Sequence, residues 1–464
     1  MHNKHESGRL QAEAIWRAGV EAVQPRHCIP HELSLLEELV RGWSPDRSYL
    51  IVGGGKAGAA MAQAAEAFLL GKGIPPNKIT GWVNVPEGSQ PSQLQCVRLH
   101  PARPVGYNFP TPEAVRGTEE MIKLIDNAPD DVLVLCLISG GGSAILCAPV
   151  PGVPLEDKVH VSKQLSAAGA TITELNAVRK HLSLFKGGQL AQRCFRSGPS
   201  SKKQLLSLII SDVIGDPLDV IASGPTALDP TTFQDALMVL QNKGLMDKAP
   251  RTVVEYLQAG SRGEHAETLK RLPVDETRLL HRLVASNQKA IDAAARKAES
   301  LGYEVVEYSD KREHDTTTLA AYFADQIHSY SRHHPLCLVS GGETTVKLPP
   351  HHGKGGRNQS FALACLSQLQ ALSDGDEAQL QGITILCAGT DGEDGPTDAA
   401  GAFADLGILQ AARKKGLSMN EALARHDAYP FFDTTGGLFK TGLTETNVMD
   451  LRVVLINSQE LPQS

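Results

Sequence analysis

The chain has 464 residues, 41% of them hydrophobic and 21% charged, which is the balance of a globular protein with too much length for one ordinary core. Its net charge of −7 argues against a nucleic-acid surface, which needs a basic patch. No apolar run approaches a membrane span, the polar N-terminus lacks a signal-peptide core, and eight cysteines without a CxxC pair read as reduced packing residues of a cytoplasmic protein.

Taken in chain order, residues 8–22 have helical spacing and predict an amphipathic helix. Tyr49-Leu50-Ile51-Val52 predicts a strand that ends at Gly53-Gly54-Gly55-Lys56-Ala57-Gly58, and the Ala-rich segment 57–70 predicts a helix. Val132 to Ile138 predicts a buried strand running into Ser139-Gly140-Gly141-Gly142-Ser143. Residues 155–192 look helical and carry Arg179, Lys180 and Lys186. Leu205 to Ile210 is another apolar strand, followed by Ser211-Asp212 and a Gly/Pro-rich passage through Thr226. In the second half, Leu283–Ala285 and Tyr303–Val306 predict strands around a helix at 287–300. The stretch 312–334 has the least pattern, and Arg332-His333-His334-Pro335 reads as a surface connection. Pro335 to Val339 predicts a strand ending in a second turn, Ser340-Gly341-Gly342-Glu343. Ile383 to Ala388 ends in a dense Gly/Asp loop, and Val453 to Ile456 is the last strand. Strands alternating with helices predict an α/β fold with a parallel or mixed sheet in each half. The expected domains are 1–235 and 236–464.

Several of these strand ends can carry chemistry. The 53–58 turn satisfies GxGxxG, the dinucleotide fingerprint, but the following strand lacks the ribose-binding acid and Lys56 sits inside the turn. The plain alternative is a strand-to-helix turn with an exposed lysine. Ser139 to Ser143 offers flexible amides and two hydroxyls, a plausible anion nest or a capped turn. Lys354 and Arg357, interleaved with glycines before a predicted helix at 360–370, place cations where anions are favoured. In Asp391-Gly392-Glu393-Asp394-Gly395-Pro396-Thr397-Asp398 four carboxylates repel one another unless they share a cation or a proton, which suits Mg²⁺ or Ca²⁺ binding or a general base, with an Asx-turn-rich surface loop as the plain alternative. Asp212 either joins such a site or caps its turn. Arg179 and Lys186, seven apart, can share a helix face, with a solvated basic face as the alternative. There is no Walker A sequence, no GxSxG elbow and no HExxH pair, and His333-His334 and His351-His352 lack further ligands.

Together these segments carry a specific resemblance. Leu137–Ala144, Glu174-Leu175-Asn176 with Arg179–Ser183 and Lys186–Gly188, Ser211–Asp216 with Ile221–Thr226, Ser340–Val346, Gly355–Gln359, Gly389–Gly392, Asp394–Gly401 and Thr444–Asp450 occur in order. The chain resembles the class II, MOFRL-type glycerate 2-kinases, some of which have been labelled hydroxypyruvate reductases. The resemblance implies two α/β domains, a Rossmann-like N-terminal one and a C-terminal one with the MOFRL segment at about 335–456, around an interdomain cleft. It implies phosphorylation of D-glycerate with ATP and Mg²⁺, to 2-phospho-D-glycerate. The alternatives are transfer to the 3-hydroxyl and an NAD(P)H-dependent hydroxypyruvate reductase. Lys56 and Arg357 match the family's favoured active-site cations, expected to face each other across the cleft. Asp212 and Asp391 join them as catalytic candidates, and Asp212, Asp391 and Asp394 as Mg²⁺ ligands. Ser139, Gly140, Gly141, Gly142, Ser143, Ser340, Gly341, Gly342, Glu343 and Asn358 are the expected nucleotide and anion contacts. The expected partner is the small-molecule substrate; a homodimer is compatible, and neither nucleic acid nor membrane is expected.

Overall fold

The computed structural model describes residues 2–89, 94–104, 107, 109–196, 198, 201–308, 314–330 and 334–458, so Arg332 and His333 of the expected surface connection lie outside it. The chain divides into two compact units, Pro25–Val284 and Met1–Gln24 with Ala285–Ser464.

The unit 25–284 is built on β1 (Tyr49–Gly54), β2 (Ile79–Pro86), β3 (Val97–Arg103), β4 (Leu133–Ile138), β5 (Gln204–Ile210) and β6 (Leu279–Ala285). Their order is β3-β2-β1-β4-β5-β6, with β1 to β5 parallel. That order is doubly wound, and its switch point lies between β1 and β4. Every residue of β1, β4 and β5 is buried, as expected of continuous apolar runs covered on both faces. One cover is the helix Pro112–Asp126, whose Met121 and Ile125 pack with Val134 and Cys136. Thr111 caps it, accepting from Ala114 N, and Pro112 fills the first turn.

The predicted helical stretch 155–192 is three helices, Leu155–Ala167, Ile172–His181 and Gln189–Cys194. Left-handed Gly169 (φ 68°) follows the end of the first helix, and Gly187 (φ 60°) and Gly188 (φ 75°) lead into the third, which Gly188 caps. A reciprocal Thr171–Glu174 capping box starts the middle helix. The boundary expected near residue 235 falls inside this unit. Phe233 and Leu257, on helices Phe233–Asn242 and Arg251–Ser261, join Val178 and Leu182 in one apolar cluster. Leu283 to Ala285, expected with the second half, belongs to β6 of this sheet.

The other unit holds β7 (Glu304–Tyr308), β8 (His314–Asp315), β9 (Leu336–Gly342), β10 (Thr344–Thr345), β11 (Ile383–Gly389), β12 (Gly401–Asp405), β13 (Leu438–Phe439) and β14 (Asp450–Ile456). The main sheet is mixed, in the order β13-β12-β11-β14-β9-β7, and β14 runs antiparallel to both neighbours. The helix His2–Ala22 belongs here: Trp16 meets Phe439 edge-on at 5.1 Å, and its indole N–H donates to Ala388 O at 3.4 Å. Two expectations need correction. The stretch 312–334 contains a helix, Thr316–Ser329, capped by Asp315 and burying Leu319, Phe323 and Ile327 at spacing four. The second Ser-Gly-Gly phrase is not a turn. β9 continues through Ser340-Gly341-Gly342, paired with Arg452, Leu451 and Asp450 of β14.

Candidate active site

The first phrase does form a turn, and the turn after β1 is bonded to it. Lys56 N donates to Gly140 O at 2.8 Å, and Ala57 N donates to Ser139 Oγ at 3.1 Å. The approach needs glycine. Gly55 has φ 145°, and a Cβ there would lie 2.2 Å from Ser139 Oγ. Gly55 N donates to Asn84 O and Gly58 N to Gly55 O. The amides that a dinucleotide fingerprint offers to pyrophosphate are therefore engaged internally. In contrast, the Gly140, Gly141 and Ser143 amides have no acceptor among the described residues. Such unpaired amides at a strand end suit an oxyanion.

Charged side chains border this turn. A Cβ on Gly141 (φ 75°) would lie 3.3 Å from both Lys56 Cγ and Arg103 Nη2, so both chains flank it. On the other side, a Cβ on Gly140 would lie 1.9 Å from Asp212 Oδ2. Lys56, Arg103, the 139–143 turn and Asp212 follow β1, end β3, and follow β4 and β5 respectively. All stand at carboxyl ends of a parallel sheet, where open α/β folds bind ligands. Ser143 Oγ lies 3.0 Å from Ser223 Oγ, which donates to Asn176 Oδ1 at 2.9 Å. Ala222 (φ 51°) and Ser223 (φ 62°) are left-handed without being glycine, the kind of backbone strain that collects at functional sites.

Arg357 opens the helix Arg357–Leu372 in the other unit. It grips Asp450 with Nε to Oδ2 at 2.7 Å and Nη2 to Oδ1 at 3.0 Å, and Nη1 donates to Glu343. The two carboxylates hold its pKa above the ordinary arginine value despite burial. Asn358 Nδ2 donates to Asp450 Oδ1 at 2.9 Å and to Asp394 Oδ1 at 3.2 Å. Asp394 also accepts from Asn358 N at 3.0 Å and Gln359 N at 2.9 Å, so it caps the helix. Burial pushes its pKa up to about 7, against those amides and Arg357, which pull it down. Asp391 Oδ1 accepts from Glu393 N at 3.2 Å. Gly342 N donates to Asn287 Oδ1 at 2.8 Å. Lys354 sits 4.0 Å from the Tyr429 ring centroid, a cation–π contact. Among the described residues no three His, Cys, Asp or Glu side chains group as a metal centre.

Residues 11–258 match the family described as "Domain of unknown function (DUF4147)", and residues 336–450 match the MOFRL family. A glycerate 2-kinase of Pyrococcus horikoshii is 35% identical over 87% of this chain and 86% of its own length. A glycerate kinase of Rattus norvegicus is 34% identical over 97% of this chain and 93% of its own. The crystal structure of a glycerate kinase from Thermotoga maritima superposes with a TM-score of 0.81 at 31% identity, covering 97% of this chain and 99% of that one. The chain belongs to the MOFRL-type glycerate kinase family.

On this MOFRL-type chain, the structure gathers Lys56, Ser139 to Ser143 and Asp212 at one sheet end in one unit. It gathers Glu343, Arg357, Asn358 and Asp394 around Asp450 in the other. The sequence marks Asp450 and Ser223 only as parts of motifs and does not single out Arg103; the local signal for Asp450 is an acid opening the last strand. Arg179 and Lys186 do not share a helix face, because the helix ends at His181. Lys180 is buried and paired with Asp219 at 3.1 Å and Asp229 at 3.2 Å, a structural ion pair. Among the described residues no helix is long and apolar enough to cross a membrane.

Proposed function

We propose that this chain catalyses the ATP-dependent phosphorylation of D-glycerate to 2-phospho-D-glycerate, with Mg²⁺ as cofactor. The observation that carries the reading is the full-length similarity to proteins named glycerate kinase, with 35% identity over 87% of the chain in one case. The open amides of the 139–143 turn support it, because phosphoryl transfer asks mainly for positioning and charge neutralisation. In this reading the C2 hydroxyl oxygen forms a bond to the γ-phosphorus, the bond to the bridging β,γ-oxygen breaks, and ADP leaves. Lys56 and Arg357 divide the anionic groups between them: one holds the glycerate carboxylate and the other stabilises the moving phosphoryl. The Gly140, Gly141 and Ser143 amides bind phosphate oxygens. Asp212 would supply one carboxylate ligand to Mg²⁺, which would neutralise charge on the nucleotide. Asp391 takes the hydroxyl proton. Asp394 is left in its capping role.

Phosphorus NMR of the products formed from ATP, Mg²⁺ and D-glycerate tests this. The expected result is ADP with 2-phosphoglycerate. A 3-phosphoglycerate signal would overturn the regiochemistry. NADH oxidation by hydroxypyruvate, without ADP formation from glycerate, would overturn the reaction class.

A further inference from the structure

The unit 25–284 contains a second concentration of positive charge, beyond Lys56 and Arg103. Lys158, Arg179 and Lys186 line one cavity with Phe109, Pro110 and Ser143. Lys158 is 2% exposed and Lys186 is 1% exposed. Lys186 Nζ donates to Ser143 O at 2.8 Å and reaches Ala222 O at 3.5 Å. Lys158 Nζ donates to Leu182 O at 2.6 Å and reaches Arg179 O at 3.5 Å. Their partners are neutral carbonyls. Among the described residues no carboxylate forms an ion pair with any of the three cations. Lys163 adds a fourth cation near the Phe109 wall, 4.8 Å from the ring centroid.

An unbalanced buried ammonium is costly, and proteins ordinarily pair it. This protein does so one residue away from Arg179, where buried Lys180 contacts Asp219 and Asp229. The three cavity cations are thus a departure from the chain's own practice. Burial, helped by its two cationic neighbours, pushes the Lys186 pKa down to about 7. A bound dianion would supply the missing charge.

We propose that the Lys158–Arg179–Lys186 cavity is a binding site for a phosphate-type dianion, the phosphoryl group of a nucleotide or of a phosphorylated sugar acid. A carboxylate brings one negative charge against three cations; a phosphate brings nearly two and more oxygens. Arg179 suits a tetrahedral oxyanion through two parallel N–H groups. The apolar wall of Phe109 and Pro110 limits water and strengthens each contact. Ser143 joins the cavity to the 139–143 turn. The site rests on the cavity alone, whereas the source of its anion rests on the kinase reading.

Calorimetric titration of the full chain with inorganic phosphate, ADP, 2-phosphoglycerate and D-glycerate tests the site, using wild type, Arg179→Gln and Lys186→Met. Inorganic phosphate is expected to bind wild type and to bind each variant at least ~10-fold more weakly, the loss of a charge-assisted contact. Whichever organic phosphate weakens in parallel identifies the source; if neither does, free phosphate is the ligand and the site stands. Thermal unfolding gives a second readout that does not need a bound ligand. Lys186→Met removes an unpaired buried charge and should raise Tm without phosphate while shrinking the rise that phosphate produces. Unchanged phosphate affinity in both variants, or no phosphate binding to wild type, overturns the site. Phosphate binding that needs Arg179 and Lys186 in a protein forming no ADP from glycerate overturns the kinase reading and leaves the site standing.

Discussion

The two Ser-Gly-Gly phrases share a sequence and differ in what surrounds them. After β4 the phrase leaves the sheet as a turn with unpaired amides, Lys56 and Arg103 beside it and the 158/179/186 cations nearby. In β9 the same letters stay inside the ladder, where Arg452 donates to Gly341 O at 2.6 Å, and Arg357 is already matched by Asp450 and Glu343. In one region Lys158, Arg179 and Lys186 have no carboxylate ion pair among the described residues. The other has balanced its own charge and holds one guanidinium in a fixed pose. A glycine-rich phrase therefore does not define an anion site; the neighbouring strand and the local charge balance do.

The comparison breaks most visibly at Arg357. If its fixed pose serves catalysis, Arg357→Ala should lower turnover at least ~10³-fold, as for an arginine that stabilises a transferring phosphoryl. The substitution also strips the fully buried Asp450 carboxylate of its partner, so the urea midpoint should fall too and turnover is compared on the folded fraction. Near-normal turnover would reduce Arg357 to a structural ion pair.

Matched glycine substitutions sharpen the contrast. In Gly140→Ala the new Cβ would lie 1.9 Å from Asp212 Oδ2. Turnover should fall about 10–100-fold, with a stability loss of about 1–3 kcal/mol from overpacking. In Gly341→Ala the Cβ would lie 1.8 Å from Asn287 Oδ1. Asn287 ties down Val448 O, Asp450 O and Gly342 N. That substitution should change the denaturation midpoint more than the turnover of the folded fraction. The reverse ranking would mean that the β9 phrase, not the β4 phrase, meets the reacting groups.

The smallest expected effect is a difference in sign with pH. Asp394 titrates at about 7 in the folded state against 3.8 for the free group, so the native state binds more protons between those values. Its contribution to stability therefore falls as pH rises from about 4 to about 7. Lys186 titrates at about 7 against 10.5 for the free group, so there the unfolded state binds more protons. Its contribution rises as pH climbs from about 7 towards 10. Thermal unfolding across this range should lose the acid-side slope in Asp394→Asn and the alkaline-side slope in Lys186→Met. Identical slopes in wild type and both variants would contradict these protonation states.

Much of this was legible in residues that announce local geometry. The α/β class followed from β1, β4 and β11, whose continuous apolar runs end abruptly at Gly or Ser. Lys56 and Arg357 stood out because each interrupts a glycine cluster at a strand end or a helix start. What escaped depends on partners far along the chain. Nothing local to Ser340 reveals that Arg452 will continue the ladder beside it. Lys158 lies in an ordinary amphipathic helix, and only the packing of Leu182 and Phe109 turns it inward. Lys186 read as a helix-face partner of Arg179, although Gly187-Gly188 signalled that the helical run had already stopped. The N-terminal helix joined the distant unit because Trp16 finds Phe439 there, a pairing with no sequence cue.

The position of β14 has a consequence for the order of assembly during synthesis. This strand lies between β11 and β9, although it follows both in the sequence. The helix His2–Ala22, made first, packs on β11 and β14. The unit 25–284 needs nothing synthesised after Val284, so it can close while translation continues. The first helix must instead wait through that whole unit for its sheet, and Arg357 has no Asp450 until the last strand emerges. The kinase-family chain thus carries its own timing: the 139–143 turn is finished early, and the arginine is locked in place only near the end of synthesis. Pulse proteolysis of ribosome-bound chains halted near residue 340, once β6 has cleared the exit tunnel, should find 25–284 protected and the first helix cut.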